Sequence, residues 1–214
     1  MSQDTYGQQP EGTQSPLHAD HFDADPFELF GAWFEKAKET EINDPDAMAI
    51  ASVSKEGMPS VRMVLLKQWS RDGFVFFTNY DGRKGDELLA TKKAAFVMHW
   101  KSLRRQVRVV GQIEQVSAAQ SDAYFATRHR GSRIGAWASA QSTPLAKRAD
   151  LEAEVAAIEA KFADADVSRP PHWGGFIIRP EEIEFWADGA YRLHDRFRFT
   201  KDAAGHWAAQ RLNP

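Results

Sequence analysis

The chain has 214 residues, with 27 Lys and Arg against 30 Asp and Glu, for a formal net charge of −3. That length suits one domain with a sizeable core, and that charge gives no bulk pull toward nucleic acid, so any anion site must come from local clustering. The absence of cysteine excludes disulfides, thiolate metal sites and cysteine nucleophiles, and fits a reducing, cytoplasmic setting.

Met1 to about Asp23 is rich in Gln, Ser, Asp, Gly and Pro. This composition predicts a flexible tail over 1–24, ahead of a single domain over 25–214. The N-terminus lacks the basic-then-apolar pattern of a secretory signal, and no apolar run approaches the roughly 20 residues of a membrane span. Asp25-Pro26 opens a helix, with Asp25 as N-cap and Pro26 at its first position. Phe27, Phe30, Trp33 and Phe34 follow at helical spacing and predict one buried face.

After Pro45 the period changes to two. Strands are expected at Ala47–Ser54, Ser60–Lys67 and Phe74–Tyr80, with turns at "KEGMP" and Asp72-Gly73 between them. "DGRKGDELLATKK" leads into a short helix, and Ala94–Trp100 and Arg105–Val116 are two more strands. Ser117 caps a helix through about Arg128, followed by a short helical turn around "GSRIGAW" and an amphipathic helix over Pro144–Phe162. "WGGFIIRP", "EIEFWA", "YRLHDRFRF" and "HWAAQRL" predict four closing strands. Strands joined mostly by short turns, with few helices between them, argue for a mainly β, antiparallel barrel with peripheral helices rather than repeated βαβ units.

No metal site is expected, because none of the seven histidines forms an HExxH or similar helical ligand pair. GxxxxGK[ST] is absent, and no GxGxxG follows a strand, so a bound phosphate would need side-chain cations. Arg83-Lys84 stands out among these. Cations at a helix N-terminus oppose the helix dipole, and an anion bound there would relieve the conflict and accept helix N–H bonds. Arg62 and Lys67 lie five apart, on opposite faces of a regular strand unless Lys67 falls in the turn beyond it. Tyr124, Arg128 and Ser132, spaced by four and four, bring a phenol, a guanidinium and a hydroxyl toward one point, a set suited to a phosphate monoester.

"AYRLHDRFRF" (Ala190–Phe199) carries a further cluster of cations. As a strand, it puts Arg192, His194 and Arg196 on one face, with Arg198 next in line, and Leu193, Phe197 and Phe199 on the other. Arg192 and Arg196 would then stand roughly 13 Å apart, enough for two ligands or two parts of one site.

"RMVLLK", "FFTNYDGRKGDEL", "RRQVRVVG", "YFATRHRGSRIGAWASAQS", "HWGGFIIRPEEIEFW" and "RLHDR" occur in this order. In these motifs the chain, over about residues 26–214, resembles the pyridoxine/pyridoxamine 5′-phosphate oxidases. The resemblance implies a homodimeric, FMN-binding split β-barrel with FMN at the subunit interface. It implies FMN contacts at Arg62, Met63, Val64, Leu65, Leu66, Lys67, Phe77, Thr78, Arg83, Lys84, Gln106, Gln141, Ser142, Trp186 and Arg196. Lys67, Tyr124, Arg128 and Ser132 would hold the phosphate of the B6 vitamer. Arg192, Leu193 and His194 would lie at its ring, with Arg192 and His194 as the catalytic pair.

The implied reaction is oxidation of pyridoxine or pyridoxamine 5′-phosphate to pyridoxal 5′-phosphate, with O2 as acceptor and H2O2 as product. His194 would either hydrogen-bond the vitamer or assist proton removal. Departures from the family pattern are Gly82 before Arg83-Lys84, His129 after Arg128, Arg133 in place of a frequent Gln, and an N-terminal segment without Arg or Lys. Two other classes remain: a flavin oxidase acting on another ring, such as a phenazine precursor, against which the phosphate set Lys67, Tyr124, Arg128 and Ser132 speaks, and a non-enzymatic module that stores flavin or pyridoxal phosphate, against which Arg192 and His194 speak.

Overall fold

The computed structural model describes Leu17 and residues 23–214. α1 (Pro26–Thr40) starts as the sequence predicts, with the Asp25 carboxylate accepting the N–H groups of Phe27 and Glu28 at 2.8 and 3.1 Å. It is followed by β1 (Ala47–Val53), β2 (Pro59–Leu65), β3 (Gln68–Ser70), β4 (Gly73–Asn79), α2 (Arg83–Thr91), β5 (Lys93–Trp100) and β6 (Arg105–Gln115). Then come α3 (Ala118–Thr127), α4 (Arg130–Ala138), α5 (Arg148–Phe162), β7 (Trp173–Ala187), β8 (Asp195–Lys201) and β9 (Trp207–Leu212). Every strand pairing is antiparallel, in the order β2-β1-β5-β6-β7-β4-β3, with β8 and β9 branching from β7.

The expected mainly β, antiparallel architecture is therefore present, with four local corrections. "WGGFIIRP" and "EIEFWA" form the single strand β7, which Pro180 does not end. A register shift opposite Val110/Gly111 absorbs one extra residue, as a β-bulge does. Gly111 is required there, because a Cβ would run into the Arg179 carbonyl. "GSRIGAW" belongs to a nine-residue helix, α4. α5 begins at Arg148 rather than Pro144 and has no fully buried residue; Leu151, Val155, Ile158 and Phe162 form a narrow, half-covered stripe.

The fourth correction falls on the cation ladder. Ala190–Arg192 is a 3-10 turn in which Tyr191 and Arg192 both have left-handed backbones, φ 56° and 65°. The strand starts only at Asp195, so Arg192 and His194 are not rungs below Arg196, and their strand spacing does not apply. Leu193 is exposed, whereas Phe197 and Phe199 are buried as expected. Gly189 makes the turn possible, since a Cβ there would collide with the Leu193 carbonyl.

The main core lies between α1 and the curled sheet. Phe30 meets Phe74 edge to face at 4.9 Å, and Trp33 meets Phe185 at 5.2 Å. Leu17, within the span expected to be a tail, is buried against this core; the rest of 1–22 lies outside the described residues. A second, smaller cluster of Phe125, Ile134, Val167 and Trp173 fastens α3 and α4 to the start of β7. No helix among the described residues is long and apolar enough to cross a membrane.

Candidate active site

A cleft of about 850 Å3 lies between β2, the end of β4, the start of α2 and the α3–α4 junction. It is lined by Arg62, Met63, Val64, Leu65, Lys67, Phe77, Thr78, Arg83, Lys84, Tyr124, Arg128, Ser132, Gln141 and Ser142. All of these were expected at a site from sequence. Leu66 is the exception in its run, since its side chain is part of the core.

The elements explain the placement. Alternation along β2 turns Arg62 inward, toward Ser52 on β1. Lys67 lies past the end of β2, the second of the two placements open to it, and its Nζ is 2.8 Å from Asp46. α2 begins at Arg83 after Gly82, so no side chain caps the first helix N–H groups, and Arg83 and Lys84 of this first turn line the cleft. Gly85 lets this helix start lie against the Tyr80 backbone, where a Cβ would not fit.

The cations of the cleft fall into two kinds. Arg62, Arg83 and Lys67 are paired with carboxylates: Arg62 and Arg83 with Glu87, and Lys67 with Asp46. Lys84 and Arg128 have no carboxylate partner among the described residues. Lys84 is only 7% exposed; its ammonium donates to Thr78 Oγ1 and, at 3.1 Å, to Gln141 Oε1. Burial, reinforced by the charge of Arg62, pushes Lys84 down to about 8. Arg128 has its Cζ 4.7 Å from the Trp173 ring centroid and 5.7 Å from that of Phe125, and its buried Nη1 has no hydrogen-bond partner. Burial pushes its guanidinium down, with Tyr124 acting in the opposite direction. A buried and a half-buried cation facing one cleft without carboxylate partners suit a ligand or ligands with two anionic groups.

Phe77, Tyr124 and Trp173 form a parallel ring stack beside Arg128, with Phe77 and Tyr124 centroids 3.9 Å apart. Trp173 was not singled out from sequence, nor were the lining residues Ser60, Asn79 and Ser139. Glu87 was also missed, although its position four residues after Arg83 on a helix is a readable pairing signal.

The remaining expected residues do not line this cleft. Gln106, Trp186 and Arg196 occupy one rung across β6, β7 and β8. Arg196 Nε is 2.9 Å from the buried Glu184 carboxylate, which raises the Arg196 guanidinium further. The His194 ring is 4.6 Å from that of Trp186. His194 Nδ1 accepts the Gly189 N–H at 3.2 Å and lies 3.2 Å from Asp188 Oδ1. Arg192 and Leu193 are exposed on the turn beside this row. The residues expected at a site thus fall into two separate groups. Exposed apolar side chains accompany both, with Val61, Met63 and Leu65 on β2 and Tyr191 and Leu193 on the turn. No group of three or more His, Asp or Glu able to hold a metal occurs among the described residues.

Residues 34–162 match the family described as pyridoxamine 5′-phosphate oxidase, and residues 173–214 match the pyridoxine 5′-phosphate oxidase C-terminal dimerisation region. Proteins named pyridoxine/pyridoxamine 5′-phosphate oxidase from Brucella canis and Brucella suis are each 56% identical over 192 residues, covering 89% of this chain and 95% of theirs. Among solved structures, PhzG from Burkholderia lata 383, in complex with tetrahydrophenazine-1-carboxylic acid, superposes with a TM-score of 0.86 at 29% identity, covering 92% of this chain and 98% of that one. A pyridoxamine 5′-phosphate oxidase-related, FMN-binding protein from Nostoc punctiforme shares the fold, with a TM-score of 0.71 at 14% identity over 90% of this chain and all of that one. The dimerisation-region match supports a homodimer.

Proposed function

The chain belongs to the pyridoxine/pyridoxamine 5′-phosphate oxidase family, and from that premise we propose that it oxidises pyridoxine and pyridoxamine 5′-phosphates to pyridoxal 5′-phosphate with FMN and O2. The observation that carries this reading is the pair of uncompensated cations, Lys84 and Arg128, in one cleft. The reaction needs two phosphates close together, one on the cofactor and one on the vitamer.

FMN fits the α2 end of the cleft, where uncapped helix N–H groups, Lys84, Arg62 and Arg83 would receive its phosphate. Thr78, Gln141 and Ser142 lie beside them. Bound there, FMN would supply the two-electron chemistry, taking a hydride equivalent from C4′ of the vitamer and returning the electrons to O2 as H2O2. Arg128, Tyr124, Ser132 and Lys67 would fasten the vitamer phosphate and so fix the distance from phosphate to C4′. Positioning of this kind can lower a barrier by about 7–11 kcal/mol in favourable cases.

The second group of residues completes the site from another copy of the chain. Gln106, Trp186 and Arg196 would face the flavin and Arg192 and His194 the vitamer ring, across the subunit interface. With His194 Nδ1 accepting the Gly189 N–H, Nε2 would carry the ring proton and donate a hydrogen bond to the vitamer; in the other tautomer Nδ1–H would donate to Asp188 and leave Nε2 free to take the vitamer's proton.

The test is aerobic incubation of the flavin-loaded protein with pyridoxine 5′-phosphate, following aldehyde and peroxide together. Equimolar production of both supports the reading. The likeness to PhzG favours one rival, an oxidase of a non-phosphorylated ring. Equal turnover of unphosphorylated pyridoxine would favour that rival, and a flavin that stays oxidised in the presence of substrate without O2 would identify a binding module.

A further inference from the structure

Glu87 is 5% exposed, and its carboxylate joins three elements. Oε2 accepts from Ser52 Oγ of β1 at 2.5 Å, from Ser60 Oγ of β2 and from Arg62 Nη2 at 3.1 Å. Oε1 accepts from Arg83 Nε at 2.8 Å, at the start of α2. The serines are register partners across β1 and β2, so the pairing of these strands delivers both hydroxyls to one carboxylate. Arg62 is held a second time, by Nη1 to Ser52 Oγ at 2.6 Å and by Nη2 to Ser60 Oγ. Arg83 gives Glu87 only its Nε, and its side chain remains 60% exposed at the cleft wall.

We propose that Glu87 is the positioning residue of the cofactor-phosphate subsite, fixing Arg62 and Arg83 as a preformed pair of donors for the phosphate of FMN. The proposal rests on the reading that the cleft takes FMN. It makes a counterintuitive claim about sign. Point-charge reasoning says that a carboxylate beside a phosphate site repels the ligand, so its removal should tighten binding. The geometry says the reverse. Without Glu87, two long arginine side chains and Lys84 would repel one another around an empty subsite, and each would have to be ordered when the ligand arrives.

Glu87 is ionised wherever the protein works. Burial pushes its carboxyl up, but hydrogen bonds from Ser52, Ser60, Arg83 and Arg62 together outweigh burial and bring it down to about 2. Its charge offsets part of the repulsion among Arg62, Arg83 and the buried Lys84.

The test separates phosphate positioning from general support of the fold by comparing two flavins. FMN and riboflavin share the ring system, and riboflavin lacks the phosphate. Flavin-free wild-type protein, Glu87→Gln and Ser52→Ala are titrated with each, following the quenching of flavin fluorescence. Glu87→Gln keeps the side-chain size and is expected to raise the Kd for FMN about ten- to fiftyfold while moving riboflavin by less than about twofold. Ser52→Ala, which removes one support and keeps the carboxylate, gives the same FMN-only pattern at about threefold, and carries the test if Glu87→Gln does not fold. Equal losses for both flavins would overturn the proposal in favour of a structural ion pair, and tighter FMN binding would overturn it in favour of simple repulsion. Wild-type protein that fails to bind FMN at all would reject the cofactor reading itself, and the proposal with it.

Discussion

The arginines at the two ends of the cleft are held in opposite ways. At the start of α2, Arg62 and Arg83 are satisfied before any ligand arrives, because a buried carboxylate already holds them. At the α3–α4 junction, Arg128 is held against the faces of Trp173 and Phe125, and a buried nitrogen is left without a partner. An ion-paired cation costs little to keep in place and has less charge left to offer. A cation held by rings keeps its full charge but bears the desolvation cost until an anion comes. The first arrangement suits a group that stays bound through many turnovers; the second suits one that must arrive and leave each time.

The sharpest way to break this contrast is Arg128→Ala. It should raise KM for pyridoxine 5′-phosphate about a hundredfold, since a charge-assisted, fork-shaped contact to phosphate is worth roughly 2–3 kcal/mol. FMN affinity, measured by fluorescence titration, should change by less than about twofold if the two ends are independent. A comparable loss of FMN would merge the two ends into one site.

Next in size is Lys84→Ala, expected to weaken FMN binding by about 1.5–3 kcal/mol. Lys84 also gives the cofactor end a pH signature. Its value is about 8 without ligand, and a neighbouring phosphate favours the ammonium and raises it. FMN affinity should therefore be full below about pH 8 and fall above it, by at most about tenfold per pH unit. Lys84→Arg stays charged and should flatten the profile. Stability of the flavin-free protein should run the other way. An unfolded lysine binds its proton up to its ordinary value of 10.5, so the unfolded state holds more protons between about 8 and 10.5 and stability rises with pH across that window.

The smallest effects concern the row on β6–β8. Arg196→Met should weaken FMN or shift the flavin spectrum by a few-fold at most, because Glu184 already engages this guanidinium at 2.9 Å. Arg192→Met should leave the flavin untouched and lower kcat/KM for the vitamer. If Arg192→Met releases FMN and Arg196→Met does not, the assignment of these two arginines is reversed.

Much of this was legible in the sequence because it is local. The Asp25 and Ser117 caps, the period-two strands and the conflict of Arg83-Lys84 with their own helix dipole each need only a few neighbouring residues. What escaped depends on distant partners or on unusual backbone. The Ser52–Ser60–Glu87 knot exists only once β1 and β2 are in register. Pro180 looks like the end of a strand, and continues it only because β6 accommodates a bulge opposite. The alternation in "AYRLHDRFRF" is real from Asp195 onward. Before it, Tyr191 and Arg192 adopt left-handed backbones that neither residue type advertises, and Gly189 was the sole local hint.

β7 has one more consequence, for the order in which the molecule can be assembled. Its first half pairs with β4, whose Phe77 and Thr78 line the cleft, and its second half pairs with β8, which carries Arg196. Phe74 finds Ile178 roughly a hundred residues downstream. Closing so long a loop is costly in entropy and slows folding. On the ribosome, the β1–β2 hairpin and α2 can meet early, and with them Glu87, Arg62 and Arg83. The wall formed by β4 waits for β7 to emerge. The Glu87–Arg62–Arg83 cluster is therefore synthesised and tied together first, and the wall of the cleft that carries Phe77 and Thr78 is closed last.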